Sequence, residues 1–91
     1  MNKGVEIKVF GQVQGVFFRQ GIKEAAEEFN LTGWVKNEDD GAVKIVAEGR
    51  EENLQKLIEW CKRGSDWSRV ESVETQWHEV GGDLNKFEIR Y

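Results

Sequence analysis

Hydrophobic residues in this chain change their period several times, and that alternation restricts the fold more than any other feature. Val5, Ile7 and Val9 recur at every second position, the spacing of a strand with one buried face. Phe18, Ile22, Ala25, Ala26 and Phe29 then fall along one face of a helix. Asn30 follows and suits a left-handed helix end. Thr32 to Lys36 reads as a second strand, Asp40-Gly41 as a hairpin turn, and Ala42 to Glu48 as a third strand returning beside the second. Leu54, Leu57, Ile58 and Cys61 mark a second helix. Glu51 and Glu52 occupy its first turn, Lys62 and Arg63 its last, and Gly64 lies just beyond, as the helix dipole and a C-terminal cap favour. Strand periodicity returns around Val73, Thr75 and Trp77, breaks at Gly81-Gly82 and resumes at Phe87, Ile89 and Tyr91.

The order β-α-β-β-α-β-β leaves few arrangements. Two helices on one face of a mainly antiparallel sheet give an α+β class, ferredoxin-like α/β sandwich, with core strand order 4-1-3-2 and a short C-terminal strand added. No linker, repeat or proline interrupts the chain, so residues 1–91 are expected to form a single domain. A domain of this size buries only about 60–65% of its unfolded surface. The four Trp, five Phe and one Tyr are therefore expected to carry much of the packing. One cysteine excludes an internal disulfide, and no Cys/His spacing suits zinc. Without a signal-peptide core or a membrane-length apolar run, the expected location is cytoplasmic, with no membrane partner. A net charge of −4 argues against nucleic acid.

This topology places a site. The first and second strands run the same way with the third between them, so their C-terminal ends share a sheet edge about 10 Å apart. The first ends in Gly11-Gln12-Val13-Gln14-Gly15-Val16-Phe17-Phe18-Arg19, the second near Asn37, and Arg19 and Asn37 should face each other. A loop entering a helix N-terminus presents unpaired N–H groups to which the helix dipole draws an anion. Gly15 permits positive φ, successive N–H groups can line a concavity, and Arg19 adds a planar fork matched to phosphate oxygens. The loop is neither a P-loop nor a dinucleotide fingerprint. Pattern alone leaves two readings: an anion cradle, or a glycine turn with an exposed arginine at the helix start.

The segments Val9 to Arg19 (VFGQVQGVFFR), Gly33 to Asn37 (GWVKN), Asp40-Gly41 and Phe87 to Tyr91 (FEIRY) together resemble the acylphosphatase family, in order and spacing, over essentially the whole chain. The resemblance implies hydrolysis of acyl phosphates such as acetyl phosphate to carboxylate and inorganic phosphate, without metal or other cofactor. It implies phosphate binding by the loop residues Val13, Gln14, Gly15, Val16, Phe17 and Phe18 with Arg19, and a water positioned by Asn37. A small-molecule acyl phosphate is the implied partner, phosphate the product and competitor, and the chain is expected to be a monomer. Many members carry proline after the asparagine and after the second helix. This chain has Glu38-Asp39-Asp40 and Ser65-Asp66-Trp67 there, which removes a source of local rigidity.

Other residues have plainer readings. His78 is expected on a strand surface and Cys61 in the core. Glu38-Asp39-Asp40 reads as a solvated turn rather than a metal site, and Trp34, Trp60, Trp67 and Trp77 as packing or rim residues. An RNA-recognition domain shares the element order but needs an aromatic-rich third strand and basic charge. Two rivals to a stand-alone acylphosphatase are weighed. A unit acting on carbamoyl phosphate inside a larger maturation protein is disfavoured by the short chain. A non-catalytic anion-binding or regulatory module would give Asn37 no task.

Overall fold

The computed structural model describes residues 2–15 and 17–91. The elements are β1 (Asn2–Gln12), α1 (Phe18–Glu28), β2 (Thr32–Asn37), β3 (Val43–Arg50), α2 (Glu51–Arg63), β4 (Arg69–His78) and β5 (Phe87–Arg90). The sheet order is β4-β1-β3-β2-β5, the expected 4-1-3-2 core with the last strand added beside β2. β5 pairs parallel to β2, with Val35 opposite Ile89, and the remaining pairs are antiparallel. This is the ferredoxin-like α+β fold.

Alternation dictates which face is covered. Val5, Ile7 and Val9 of β1 lie opposite Ala47, Ile45 and Val43 of β3, and all six are fully buried. Phe18, Ile22 and Ala26 of α1 and Leu54, Leu57 and Cys61 of α2 close over them. Truncating a core leucine such as Leu57 to alanine costs about 2–5 kcal/mol, because transfer energy is lost and a cavity remains. The helices approach closely at Gly21, where a Cβ would press on the Trp60 ring. Glycine inside a helix costs about 1 kcal/mol. In exchange Trp60 seats edge-on against Phe18, with ring centroids 5.5 Å apart.

Differences from the sequence expectation have local causes. α1 stops at Glu28, and Phe29 packs against the core from just past the helix, while Asn30 takes the left-handed conformation at φ 58°. β2 continues through Asn37, and β3 starts at Val43 and runs to Arg50. On β4, Val70 and Val73 reach the core, but Thr75 and Trp77 are exposed. β4 is an edge strand, and its far end stays exposed although Thr75 and Trp77 lie opposite the buried Ile7 and Val5 of β1. The chain then crosses from one sheet edge to the other through residues 79–86. Gly81 N–H anchors that crossing by donating to Glu48 Oε2 of β3 at 3.0 Å. Among the described residues no helix is long and apolar enough to cross a membrane.

Candidate active site

β1 enters the loop through a bulge. Its register against β4 shifts between Phe10 and Gly11, where Gly11 has φ 133° and a Cβ would collide with the Arg69 carbonyl. Such a bulge bends the strand end and re-aims the chain. Val13 is buried and pins the loop to the core. Gly15 has φ 74°, yet a Cβ there would meet nothing within 4 Å. Conformation rather than space therefore demands glycine at this position.

Phe17 caps α1 with φ 61° and ψ 21°, a left-handed conformation costing about 1–2 kcal/mol for a residue with a Cβ. Its ring is exposed while that of Phe18 is buried, so the pair turns the chain sharply at the helix entrance. No side chain bonds the cap, and the first turn of α1 has no acidic residue. The positive end of this helix is thus uncompensated by its own sequence, as an anion site requires.

Arg19 sits in that first turn. Its guanidinium lies over the Tyr91 ring, 4.7 Å from the centroid, and Nη1 donates to the Arg90 carbonyl at 3.4 Å. Asn37 is the last residue of β2, opposite Val43, on the helix-covered face of the sheet. Its Oδ1 is buried without a hydrogen-bond partner, the one side-chain polar atom in that condition among the described residues. A buried unpartnered acceptor costs about 1–3 kcal/mol, and such atoms concentrate where function needs them.

Arg19 and Asn37 line one cleft of about 280 Å³, together with Val13, Gly15, Phe17 and Phe18 of the loop. Val16 lies outside the described residues. Gln14 is not in the cleft wall and bonds the β2–β3 hairpin instead. Sequence reasoning missed Ile89, Tyr91 and Gln20, which complete the wall. The alternation Phe87, Ile89, Tyr91 signalled a strand but not its place beside β2. His78 is exposed and pairs with Gly4, at the opposite end of β1 from the cleft. Cys61 is buried among apolar side chains, which pushes its thiol up and away from the thiolate. Asp40 pairs with Lys8 at 3.0 Å and accepts from Ala42 N–H at 3.0 Å, a closed turn.

The loop after β1, the entrance of α1 and the end of β2 thus line one cleft of an α+β domain with a mixed five-stranded sheet, and comparison with known proteins gives its family. The acylphosphatase family model matches residues 5–89. The chain is 44% identical over 89 residues to the acylphosphatase of Pyrobaculum islandicum, covering 97% of this chain and 94% of that protein. It is 40% identical to the acylphosphatase of Caldanaerobacter subterraneus subsp. tengcongensis, covering 98% and 99%. The crystal structure of acylphosphatase from Bacillus subtilis superposes with TM-score 0.94 at 41% identity over 100% of both chains. The chain belongs to the acylphosphatase family, hydrolases of acid anhydrides that act on small acyl phosphates and release inorganic phosphate.

Proposed function

We propose that the loop of residues 13–18 and Arg19 hold the phosphoryl group of an acyl phosphate while Asn37 aims the attacking water. The observation that carries this reading is the buried, unpartnered Oδ1 of Asn37 in the same cleft as the Arg19 guanidinium. An acyl phosphate is already activated, so the protein mainly has to neutralise phosphate charge and place water in line. The helix N-terminus and Arg19 stabilise charge on the equatorial oxygens. Asn37 Oδ1 accepts a hydrogen bond from the water, fixing its lone pair toward phosphorus. The water oxygen bonds to phosphorus as the bond from phosphorus to the acyl oxygen breaks. The electron pair leaves with the carboxylate, and a phosphate oxygen takes the water's proton. No metal or other cofactor enters this scheme.

The same reading takes residues 1–91 as one domain that works as a cytoplasmic monomer without nucleic-acid or membrane partners. The test is turnover of acetyl phosphate by purified protein, with inorganic phosphate competing. Competitive inhibition that disappears in Arg19→Ala supports the assignment, and inhibition unaffected by that substitution contradicts it.

A further inference from the structure

Gln14 lies inside the loop, yet its side chain serves a different element. Its Nε2 donates to two carbonyls of the β2–β3 hairpin, Glu38 at 2.8 Å and Ala42 at 2.9 Å. Two acceptors around one amide group also fix its orientation, because only the NH₂ end can donate to both. Each carbonyl already accepts a bond within the hairpin. Glu38 N–H donates to the Ala42 carbonyl at 2.8 Å, and Gly41 N–H donates to the Glu38 carbonyl at 3.2 Å. Gln14 therefore takes the second lone pair of each.

The hairpin it grips is a closed unit. Asp40 Oδ1 accepts from Ala42 N–H, and Asp40 Oδ2 pairs with Lys8 on β1. Asn37 immediately precedes this unit, and Gln14 immediately precedes Gly15. The two bonds thus join the start of the cradle to Glu38, the residue after Asn37, and to Ala42 across the turn, over 24 and 28 positions of sequence. The loop follows β1 and Asn37 ends β2, two strands with β3 between them.

We propose that Gln14 is a positioning residue for hydrolysis, whose two-bond clamp fixes the placement of Asn37 relative to the phosphate cradle. The proposal rests on the roles assigned above to the cradle and Asn37. The cradle and Arg19 can hold phosphate without reference to the hairpin. Attack by water needs both in one frame, so loss of the clamp falls on kcat. A displacement of 1 Å between reacting groups can cost about 10²-fold in rate. A partial loss of about 10- to 100-fold is expected here.

Gln14→Met keeps the side-chain length and removes the donors. Turnover is measured with acetyl phosphate, affinity for inorganic phosphate by calorimetry, and backbone amide shifts by NMR during a phosphate titration. The expected result is a kcat lowered about 10- to 100-fold, with phosphate affinity within about threefold of wild type. In the wild-type protein, phosphate should shift the amides of Glu38, Gly41 and Ala42, and in Gln14→Met those shifts should collapse. A kcat within twofold of wild type overturns the proposal. So does a parallel fall of kcat and phosphate affinity, which would make the Gln14 side chain a ligand of the phosphate. If Gln14→Met does not fold, the wild-type titration decides: hairpin shifts support the clamp, and shifts confined to the loop overturn it. Arg19→Ala separates the two levels, since undiminished phosphate binding in that variant removes the cradle assignment rather than the clamp alone.

Discussion

The guanidinium of Arg19 rests on the ring of Tyr91, 4.7 Å from its centroid, so the last residue of the sequence backs the charge at the helix entrance. The Arg90 carbonyl accepts from the same guanidinium at 3.4 Å. β5 delivers both partners by pairing parallel to β2 at the sheet edge. Tyr91 is 90% exposed, so the contact falls at the weak end of cation–π energies, about 0.5–1 kcal/mol. Tyr91→Ala should weaken phosphate binding about two- to fivefold, and Tyr91→Phe should preserve it. Equal losses in both variants, measured by calorimetry, would mean that the hydroxyl rather than the ring face matters.

Arg19 itself should be far more sensitive. Arg19→Ala is expected to lower turnover by about 10³-fold or more, the scale of other phosphoryl-transfer arginines, and to lose phosphate affinity with it. Arg19→Lys should recover little, because an ammonium keeps the charge but not the fork. Retention of more than a tenth of wild-type turnover by Arg19→Ala would contradict the role.

Gly15→Ala tests conformation without crowding, since a Cβ there would meet nothing within 4 Å while φ is 74°. Stability should fall by about 1–2 kcal/mol, the left-handed penalty of an L-residue. If the loop relaxes to escape that strain, inorganic phosphate and sulfate should compete less well with substrate. Unchanged competition alongside a lowered Tm would show that the glycine serves folding alone.

Much of this site follows from chain order, and some of it does not. The strand spacing of Val5, Ile7 and Val9 and the helical spacing from Phe18 fix β1 and α1, and with the second half they fix the 4-1-3-2 order. That order alone brings the ends of β1 and β2 to one edge, hence Arg19 near Asn37. Asn30 and Gly64 end their helices as expected, with φ of 58° and 77°. Neither the partner of β5 nor the stacking of Tyr91 on Arg19 could be read, because a four-residue strand carries no register information before its neighbour is known. The exposed end of β4 was equally hidden: alternation in Thr75 and Trp77 signals a strand but not whether that end is covered. Gln14 read as a loop residue because side-chain bonds to distant carbonyls leave no local pattern. Specific bonds close the two proline-free turns. Asp40, Lys8 and Gln14 tie the hairpin, and Ser68 closes the turn after α2 by donating to the Ser65 carbonyl through N–H and Oγ–H.

Asp40 gives that hairpin a pH signature. Its carboxyl is held below the ordinary range, first by the Ala42 N–H and then by Lys8. A carboxyl depressed in the folded state contributes stability above its unfolded pKa and loses that contribution as pH falls through the folded value. Asp40→Asn should therefore be less stable than wild type near neutrality, with the difference vanishing in acid. Thermal unfolding between about pH 2 and 7 checks this, and a difference independent of pH contradicts the ion-pair account.

The role of Asn37 is tested most directly by setting equilibrium phosphate affinity beside kcat in Asn37→Ala. The loop and Arg19 hold the phosphate without the asparagine, so affinity should stay within about threefold while kcat falls about 10²- to 10³-fold, the scale for losing one placed polar group. Asn37→Asp should be inactive and bind phosphate worse than the alanine variant, because its charge repels the anion and competes for the Arg19 fork. If Asn37→Ala loses phosphate affinity as severely as Arg19→Ala does, Asn37 is a phosphate ligand and the water-positioning account is wrong.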